Sequence, residues 1–561
     1  MTIKDIQKKL DTDAVIIFRN NQFIGQDVLD EENKILELTG FDGSAGTLVI
    51  TKNMAYLFVD GRYEIQSKQQ TNPKQVSVIV ESEQYNLLTW LEENLAESSV
   101  AYNPWQVSES RLKKLQRILP MADFVAKPQI IPVKRATAFE HDVKYAGKSA
   151  GVKIKEIAKL VALNNVDAVL ISSADSVSWL LNLRSNALPE TPVVRAMALV
   201  NAKKEVFLFA DNLVLPKDCG IKKFPFSDIK AILLKQKICR LAMDFKTTPA
   251  FVVDICEKLK IKTINKVDPC VEPKAEKNRA ELKGMINAHI RDGVAICKFL
   301  AWFEKNYKGK TEIDIAKKLF EFRKKQALFY SLSFGTIAGS GENSAIIHYQ
   351  PKEKSCANVK ENSVLLLDSG GQYLDGTTDI TRTIVVGKPS KDMVEKFTLV
   401  LKAHIALASQ KFPQNTSGAR LDAICRSVMW NCGLDYKHGT GHGVGCFLNV
   451  HEGPQSVSAR SNDYPLKENM VVSIEPGYYK EGDFGIRIEN LVYVKKCSKD
   501  NFLNFVPLTV VPIDFALIDK YLLEEREIKW LNAYHKNVYK VVAPHLNKQE
   551  QEWLRKACSP L

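Results

Sequence analysis

Four of the nine histidines, His348, His438, His442 and His451, fall within about 100 residues of one another in Gly-, Pro- or Asp-rich settings. Four acidic residues in strand-like or turn settings, Asp368, Asp379, Glu475 and Glu489, flank them. In SVLLLDSGGQYLDGTTDITRTIVVG, Val364 to Leu367 reads as a buried strand ended by Asp368. Asp375-Gly376 signals a turn, and Asp379 falls in a β-branched run, where Asp is disfavoured. On a helix, the spacing of Asp368 and Asp379 would separate them by roughly 16 Å along the axis. On strands joined by a turn they can share an ion.

YKHGTGHGVGCFLNVHEGP holds three histidines, and its glycines argue against a helix, so this is no HExxH motif. A single His in such a loop is more often structural, but three between 438 and 451 point to a site. In MVVSIEPGYYKEGDFGIRIENLVYV, Glu475 ends an apolar strand. Alternation over 486–489 predicts that Arg487 and Glu489 share one strand face and Ile486 and Ile488 the other. Taken alone, Glu489 reads as a residue on a solvated face. Four converging carboxylates repel and shift upward in pKa unless cations join them. Two divalent ions bring +4 against −4. Oxygen-rich ligands with one imidazole favour a hard ion, Mn²⁺, with Zn²⁺ as competitor. Two such ions roughly 3.5 Å apart make a dinuclear hydrolase site.

These residues need elements to hold them. Up to about residue 138, DAVIIF, GTLVIT, AYLFVD and VSVIV alternate with helical patterns such as NLLTWLEENLAE, an α/β design. Residues 139–272 repeat the theme in VDAVLIS, AMALVNA and EVFLFADN, after the helical KYAGKSAGVKIKEIAKLVALNN. Asp13-Ala14-Val15 is echoed by Asp167-Ala168-Val169, and Phe58-Val59-Asp60 by Phe209-Ala210-Asp211, a weak internal repeat. A Pro-rich charged linker then enters a third segment, 273–561. That segment opens with a long helix, turns to strands and Gly-rich turns from Ser331, and becomes helical again from about Asp519 in three Trp/Tyr-bearing stretches.

The 561 residues suffice for several cores, with 45% hydrophobic and 25% charged residues, as in globular proteins. No apolar run reaches the roughly 18 residues of a membrane span. The net charge of +13 is spread in ones and twos, without a dense basic block, so a solvated surface is expected and no nucleic-acid or membrane partner. The eleven cysteines lack a CxxC pair and read as reduced thiols. The opening MTIKDIQKKL lacks the apolar core of a signal peptide, and a cytoplasmic location is expected. Cys558-Ser559-Pro560-Leu561 is a poor prenylation box, because its middle residues are not aliphatic.

DSGGQYLDGTTDITRT, HGTGHGVGCFLNVHEGP and SIEPGYYKEGDFGIRIEN, in this order, resemble the aminopeptidase P (Xaa-Pro aminopeptidase) family of pita-bread metallopeptidases, most closely its cytosolic three-domain form. The N-terminal half resembles two creatinase-type domains through LTGFDGSAGTLVI, FVDGRYEIQ and SVSWLLNLRSN. The tail resembles the C-terminal extension of the long form, from about 500 to 561. The resemblance implies an α/β (α+β) fold with domains at 1–138, 139–272 and 273–561. It implies metal ligands at Asp368, Asp379, His442, Glu475 and Glu489, with Asp379 and Glu489 bridging both ions. His348, His438, His451 and Arg487 fall at substrate-site positions, and Arg62, in DGRY, at a weaker one. His451 would meet the scissile carbonyl.

The activity so implied is hydrolysis of an N-terminal Xaa-Pro bond by a hydroxide bridging two ions, Mn²⁺ or Zn²⁺, with Glu475 moving the proton. A homodimer acting on peptides with proline second is implied as well. Prolidase is the alternative within the enzyme class. A catalytically inactive pita-bread binding module is the alternative outside it, though such proteins lose metal ligands and all five stand here.

Overall fold

The computed structural model describes residues 2–25, 28–217, 219–459, 463–498 and 501–561; position 500, where the C-terminal extension is expected to begin, lies outside them. The chain divides into two units. The first comprises Met1–His141, Lys148–Leu188 and Val193–Val271, and the second Asp142–Gly147, Pro189–Pro192 and Glu272–Leu561.

In the first unit the apolar runs form two six-stranded sheets of one design. Strands β1 (Ala14–Phe18), β2 (Thr47–Thr51), β3 (Ala55–Val59), β4 (Val76–Val80), β5 (Ser99–Tyr102) and β6 (Asp123–Ala126) lie in the order β4-β3-β2-β1-β5-β6. Strands β7 (Ala168–Ile171), β8 (Met197–Asn201), β9 (Val206–Phe209), β10 (Lys222–Phe224), β11 (Arg240–Met243) and β12 (Lys262–Asn265) lie in the order β10-β9-β8-β7-β11-β12. The senses match as well: β1 is antiparallel to β2 and parallel to β5, as β7 is to β8 and β11. The echo between positions 13–15 and 167–169 therefore marks equivalent strands. Helices Leu87–Leu95 and Ile229–Lys235 cover equivalent positions, burying Trp90 and Leu91 in one core and Ile232 and Leu233 in the other. Glu32 and Arg195 meet in this unit as a buried ion pair, with N–O distances of 2.6 and 2.7 Å.

In the second unit the long helix Arg279–Asn306 starts at Asn278, whose side chain accepts from the amides of Ala280 and Glu281 while Glu281 answers the Asn278 amide. Strands Ile337–Ser340, Ser363–Ser369 and Ile380–Val386 form one antiparallel sheet. A six-stranded sheet runs Lys411–Pro413, Phe502–Pro507, Asn490–Lys496, Val471–Ile474, Gly441–Gly443, Glu452–Val457. Two elements depart from the sequence reading. Helices Lys391–Ala408 and Gly418–Trp430 interrupt the region expected to hold only strands and Gly-rich turns. Met393, Phe397, Val400, Leu401, His404, Leu407 and Ala408 recur at helical spacing and are buried, and Ser390 caps the first turn. The glycines near by describe the loops around these helices. The C-terminal stretch forms the 3₁₀ turn Lys520–Leu522 and the helices Glu525–Val542 and Lys548–Ala557, each bearing Trp or Tyr. All eleven cysteines are free thiols, and among the described residues no helix is long and apolar enough to cross a membrane.

Candidate metal centre

Asp368 is the penultimate residue of Ser363–Ser369 and pairs with Thr381 on the neighbouring strand. Asp379, expected inside a β-branched strand, lies one residue before Ile380–Val386. The small hairpin Gly371–Tyr373/Gly376–Thr377 delivers it there. Thr378 donates its amide to the Gly371 carbonyl at 2.9 Å and accepts the Gly371 amide on its hydroxyl at 2.9 Å, which turns the chain before the strand begins. The approach requires Gly370, where a Cβ would lie 2.0 Å from the Thr378 carbonyl oxygen.

His442 is carried by Gly441–Gly443, and its amide donates to Ser473 Oγ at 2.9 Å. Its Nδ1 faces the Gly443 carbonyl at 3.0 Å. A carbonyl only accepts, so Nδ1 carries the proton and Nε2 turns a lone pair to the site. That Nε2 lies 3.4 Å from Asp379 Oδ2 and 3.6 Å from Glu475 Oε1. Glu475 follows Val471–Ile474, its amide donates to the Thr440 carbonyl at 2.8 Å, and its carboxylate accepts from Ser473 Oγ at 3.1 Å.

The run 486–489, expected as one strand, is broken. Phe484–Arg487 pairs with Gly477–Lys480, and Asn490–Lys496 joins the six-stranded sheet. Ile488 and Glu489 form the step between them, with the Glu489 amide donating to the Thr381 carbonyl at 3.1 Å. The alternation survives the break: Ile486 and Ile488 are fully buried in the apolar core, while Arg487 and Glu489 both turn to the carboxylates. Thr381 Oγ donates to Glu489 at 2.8 Å.

These side chains converge in overlapping groups, Asp368 with Asp379 and Glu489, His442 with Glu475 and Glu489, and Asp379 with His442 and His451. Within each group the donor atoms lie within 4.8 Å of one another. The His451 ring sits edge-on to His442, centroids 4.2 Å apart. Arg487 donates to Asp368 at 2.6 Å, to the Tyr479 hydroxyl at 2.7 Å, to Thr381 Oγ at 3.1 Å and to the Ile347 carbonyl at 3.3 Å, which sets the backbone of His348 beside it. Tyr479 hands its own proton to His438 Nε2 at 2.8 Å, because His438 Nδ1 is engaged with the Gly439 carbonyl. Arg62 belongs to the first unit, where Asp60 grips its guanidinium at 2.7 and 2.8 Å.

Tyr479 and Thr381 were not singled out from the sequence. For Tyr479 the signal was parity: Gly477 pairs with Arg487, so Tyr479, two residues on, shares the face of Arg487.

The electrostatics are unbalanced. Burial first, then Asp368 and Glu475, push Asp379 well above the ordinary carboxylate range. Glu489 is pushed well up by burial, Asp379, Glu475 and Asp368. Burial also raises Glu475, although His442 and Arg487 pull the other way. Oδ1 of Asp368, Oδ1 of Asp379 and Oε1 of Glu489 are buried without a hydrogen-bond partner among the described residues. Orphaned anionic oxygens of this kind are costly in a finished core. Two divalent cations would use all three and cancel the excess charge, so the donor set fits them.

Comparison with known proteins agrees with this geometry. Residues 283–496 match metallopeptidase family M24, and 501–561 match the C-terminal region of that family. Residues 2–136 and 126–281 each match a creatinase/prolidase N-terminal domain. Aminopeptidase P2 of Arabidopsis thaliana is 38% identical, over 93% of this chain and 82% of its own. The crystal structure of X-prolyl aminopeptidase from Caenorhabditis elegans, described as a cytosolic enzyme with a di-nuclear active site, matches with a TM-score of 0.92 at 32% identity, over 98% of this chain and 95% of its own. The prolidase of Pyrococcus horikoshii matches with a TM-score of 0.53 at 26% identity, over 64% of this chain and 99% of its own. The chain therefore belongs to metallopeptidase family M24, as a member of its aminopeptidase P branch.

Proposed function

We propose that this metallopeptidase removes the first residue of peptides whose second residue is proline, in the cytoplasm and as a homodimer. Asp368, Asp379, His442, Glu475 and Glu489 would hold two divalent ions, Mn²⁺ in the first instance with Zn²⁺ as competitor. The observation that carries this reading is the set of three orphaned, buried carboxylate oxygens on Asp368, Asp379 and Glu489, side chains that group with one another and overlap the groups holding His442. The chain comprises two creatinase-type domains, 1–138 and 139–272, and a catalytic domain, 273–561. The repeated sheet order supports the first two.

An Xaa-Pro bond is a tertiary amide with a fixed φ and no N–H, which defeats peptidases that grip that hydrogen. The bound ions supply a water acidified into the neutral range and a polarised carbonyl. The rest falls to side chains. Glu475 takes the proton of the attacking water and returns it to the departing proline nitrogen, which leaves poorly unless protonated. His451 donates to the carbonyl oxygen as it becomes an oxyanion, a contact that strengthens only in the transition state. His348 and His438 line the substrate side, where Tyr479 orients His438. Arg487 spends its guanidinium on Asp368 and Tyr479, so it acts by aiming them.

The dipeptidase reading leaves the part of the chain beyond the prolidase match without a counterpart. The binding-module reading leaves the orphaned carboxylates without a purpose. Release of arginine from Arg-Pro-Pro by chelator-stripped protein, with Mn²⁺, Zn²⁺ or nothing restored and Arg-Pro in parallel, separates the three. Ion-dependent cleavage of the tripeptide with the dipeptide spared is the expected result. Cleavage of the dipeptide alone makes it a prolidase, and cleavage of neither by folded, ion-loaded protein makes it a binding module.

A further inference from the structure

The second unit buries a guanidinium that is held by neutral acceptors. Arg382, in the strand Ile380–Val386, is 3% exposed, and among the described residues it makes no ion pair. Each of its nitrogens nonetheless finds acceptors. Nε donates to the Pro512 carbonyl at 3.0 Å. Nη1 donates to the carbonyls of Thr381 at 3.0 Å and Glu489 at 2.7 Å. Nη2 donates to Asn490 Oδ1 at 2.8 Å, the Val511 carbonyl at 2.8 Å and the Tyr534 hydroxyl at 2.9 Å. An arginine keeps its proton in any protein environment, so this is a permanent cation caged by dipoles. Stability alone does not explain it, since an apolar side chain fills such a space at less cost.

Its neighbours suggest what the cation does. Arg382 grips the carbonyl of Glu489 and, through Asn490, reaches further. Asn490 Nδ2 donates to His404 Nε2 at 3.2 Å, and His404 Nδ1 donates to the Ile474 carbonyl at 3.1 Å. Burial and the nearby Arg382 push His404 down to about 3, so the ring is neutral, as these two roles require. Ile474 is the residue before Glu475. One buried chain, Tyr534–Arg382–Asn490–His404–Ile474, thus pins the backbone at both glutamates of the centre. The far end lies in the C-terminal region. Val511, Pro512 and Tyr534 supply three of the six acceptors around Arg382, and Tyr534, on Glu525–Val542, donates its own proton to the Val511 carbonyl at 2.8 Å.

We propose that Arg382 is a positioning residue of the metal centre, and that the C-terminal region holds it in place through Tyr534 and the Val511 and Pro512 carbonyls. The inference rests on the metal-centre reading above. Outer-shell partners of metal ligands typically carry about 10–100-fold in metal affinity or activity. Arg382 and its cage act one step further out, through backbone, on Glu475 and Glu489, which flank two strands of the six-stranded sheet.

The test is calorimetric titration of chelator-stripped full-length protein with Mn²⁺ and, in parallel, Zn²⁺, beside its melting temperature. Tyr534→Phe deletes one hydroxyl at nearly constant volume, and Arg382→Lys keeps the charge but loses the fork. Leu554→Ala, in the separate helix Lys548–Ala557, is the control for destabilisation alone. The expected result is an affinity loss of roughly 10–100-fold in Arg382→Lys and of about threefold to tenfold in Tyr534→Phe. Leu554→Ala should melt earlier yet bind as the parent does. Parent-like affinity in Tyr534→Phe, or a loss no larger than in Leu554→Ala, overturns the proposal whether or not Arg382→Lys folds. A parent that binds neither ion is a different failure, which removes the metal centre itself.

Discussion

In the first unit a buried acid meets a buried base one to one: Glu32 and Arg195 share two short charged hydrogen bonds. In the second unit Asp368, Asp379, Glu475 and Glu489 crowd together, and among these four Arg487 donates to Asp368. Burial is similar in both places, and the outcome differs. The pair leaves both carboxylate oxygens of Glu32 engaged, whereas the quartet leaves three oxygens orphaned and pushes Asp379, Glu475 and Glu489 upward in pKa. A balanced pair is complete in the protein alone. Cations would complete the unbalanced quartet, and this contrast separates a structural acid from a proposed metal ligand here.

The largest effect that sharpens the contrast lies in the quartet. Glu475→Ala and His442→Ala should each lower turnover of Arg-Pro-Pro by at least about 10³-fold, since each removes a ligand and Glu475 a proton carrier as well. Near-parent rates in either would break the ligand assignment. Next comes the pair. Arg195→Ala strands Glu32 in the interior and should cost about 3–5 kcal/mol of stability in denaturant unfolding. Its Mn²⁺ affinity should stay that of the parent, and a matching loss of affinity would erase the distinction between the regions.

His451→Ala should lower kcat by about 10²–10³-fold with the ion content of the purified protein near that of the parent, as removal of one oxyanion donor does. Unchanged kcat would rule out that role. The smallest effect is in pH. With ions removed, carboxylates raised in the folded state hold protons there that the unfolded chain has released. Their contribution to stability is therefore present below the ordinary carboxylate range, near pH 4, and is lost as pH rises through the raised values. Chelated parent should gain more melting temperature between pH 7 and pH 5 than chelated Asp379→Asn, which lacks one raised group. Equal slopes would contradict the crowding.

Much of this was legible before any coordinates. DAVIIF and VDAVLIS announce equivalent strands because a buried strand needs an unbroken apolar run, and these runs are bounded by polar residues. Asp368 and Glu475 announce themselves because each closes such a run with a charge. Asp379 was recognised by its misfit with its β-branched neighbours, but its place just outside the strand depends on the pairing of Thr378 with Gly371, a contact set by backbone. The break after Arg487 was hidden for a related reason. Alternation of side chains continues across it, and only the partner strands reveal that two sheets are involved. The helix Lys391–Ala408 has a plain apolar spacing, but Gly- and His-rich motifs dominate the composition around it. Arg382 gave no signal at all, because five of its six partners, three backbone carbonyls and two side chains, come from residues more than a hundred positions away.

The most direct test of the central claim is a count of ions bound per chain, by calorimetric Mn²⁺ titration of chelator-stripped parent and Asp379→Asn while arginine release from Arg-Pro-Pro is followed. The expected result is two ions per parent chain, with activity that rises as they bind and is lost in Asp379→Asn together with at least one ion. Undiminished cleavage by the stripped protein, or two ions still held by Asp379→Asn, would contradict it.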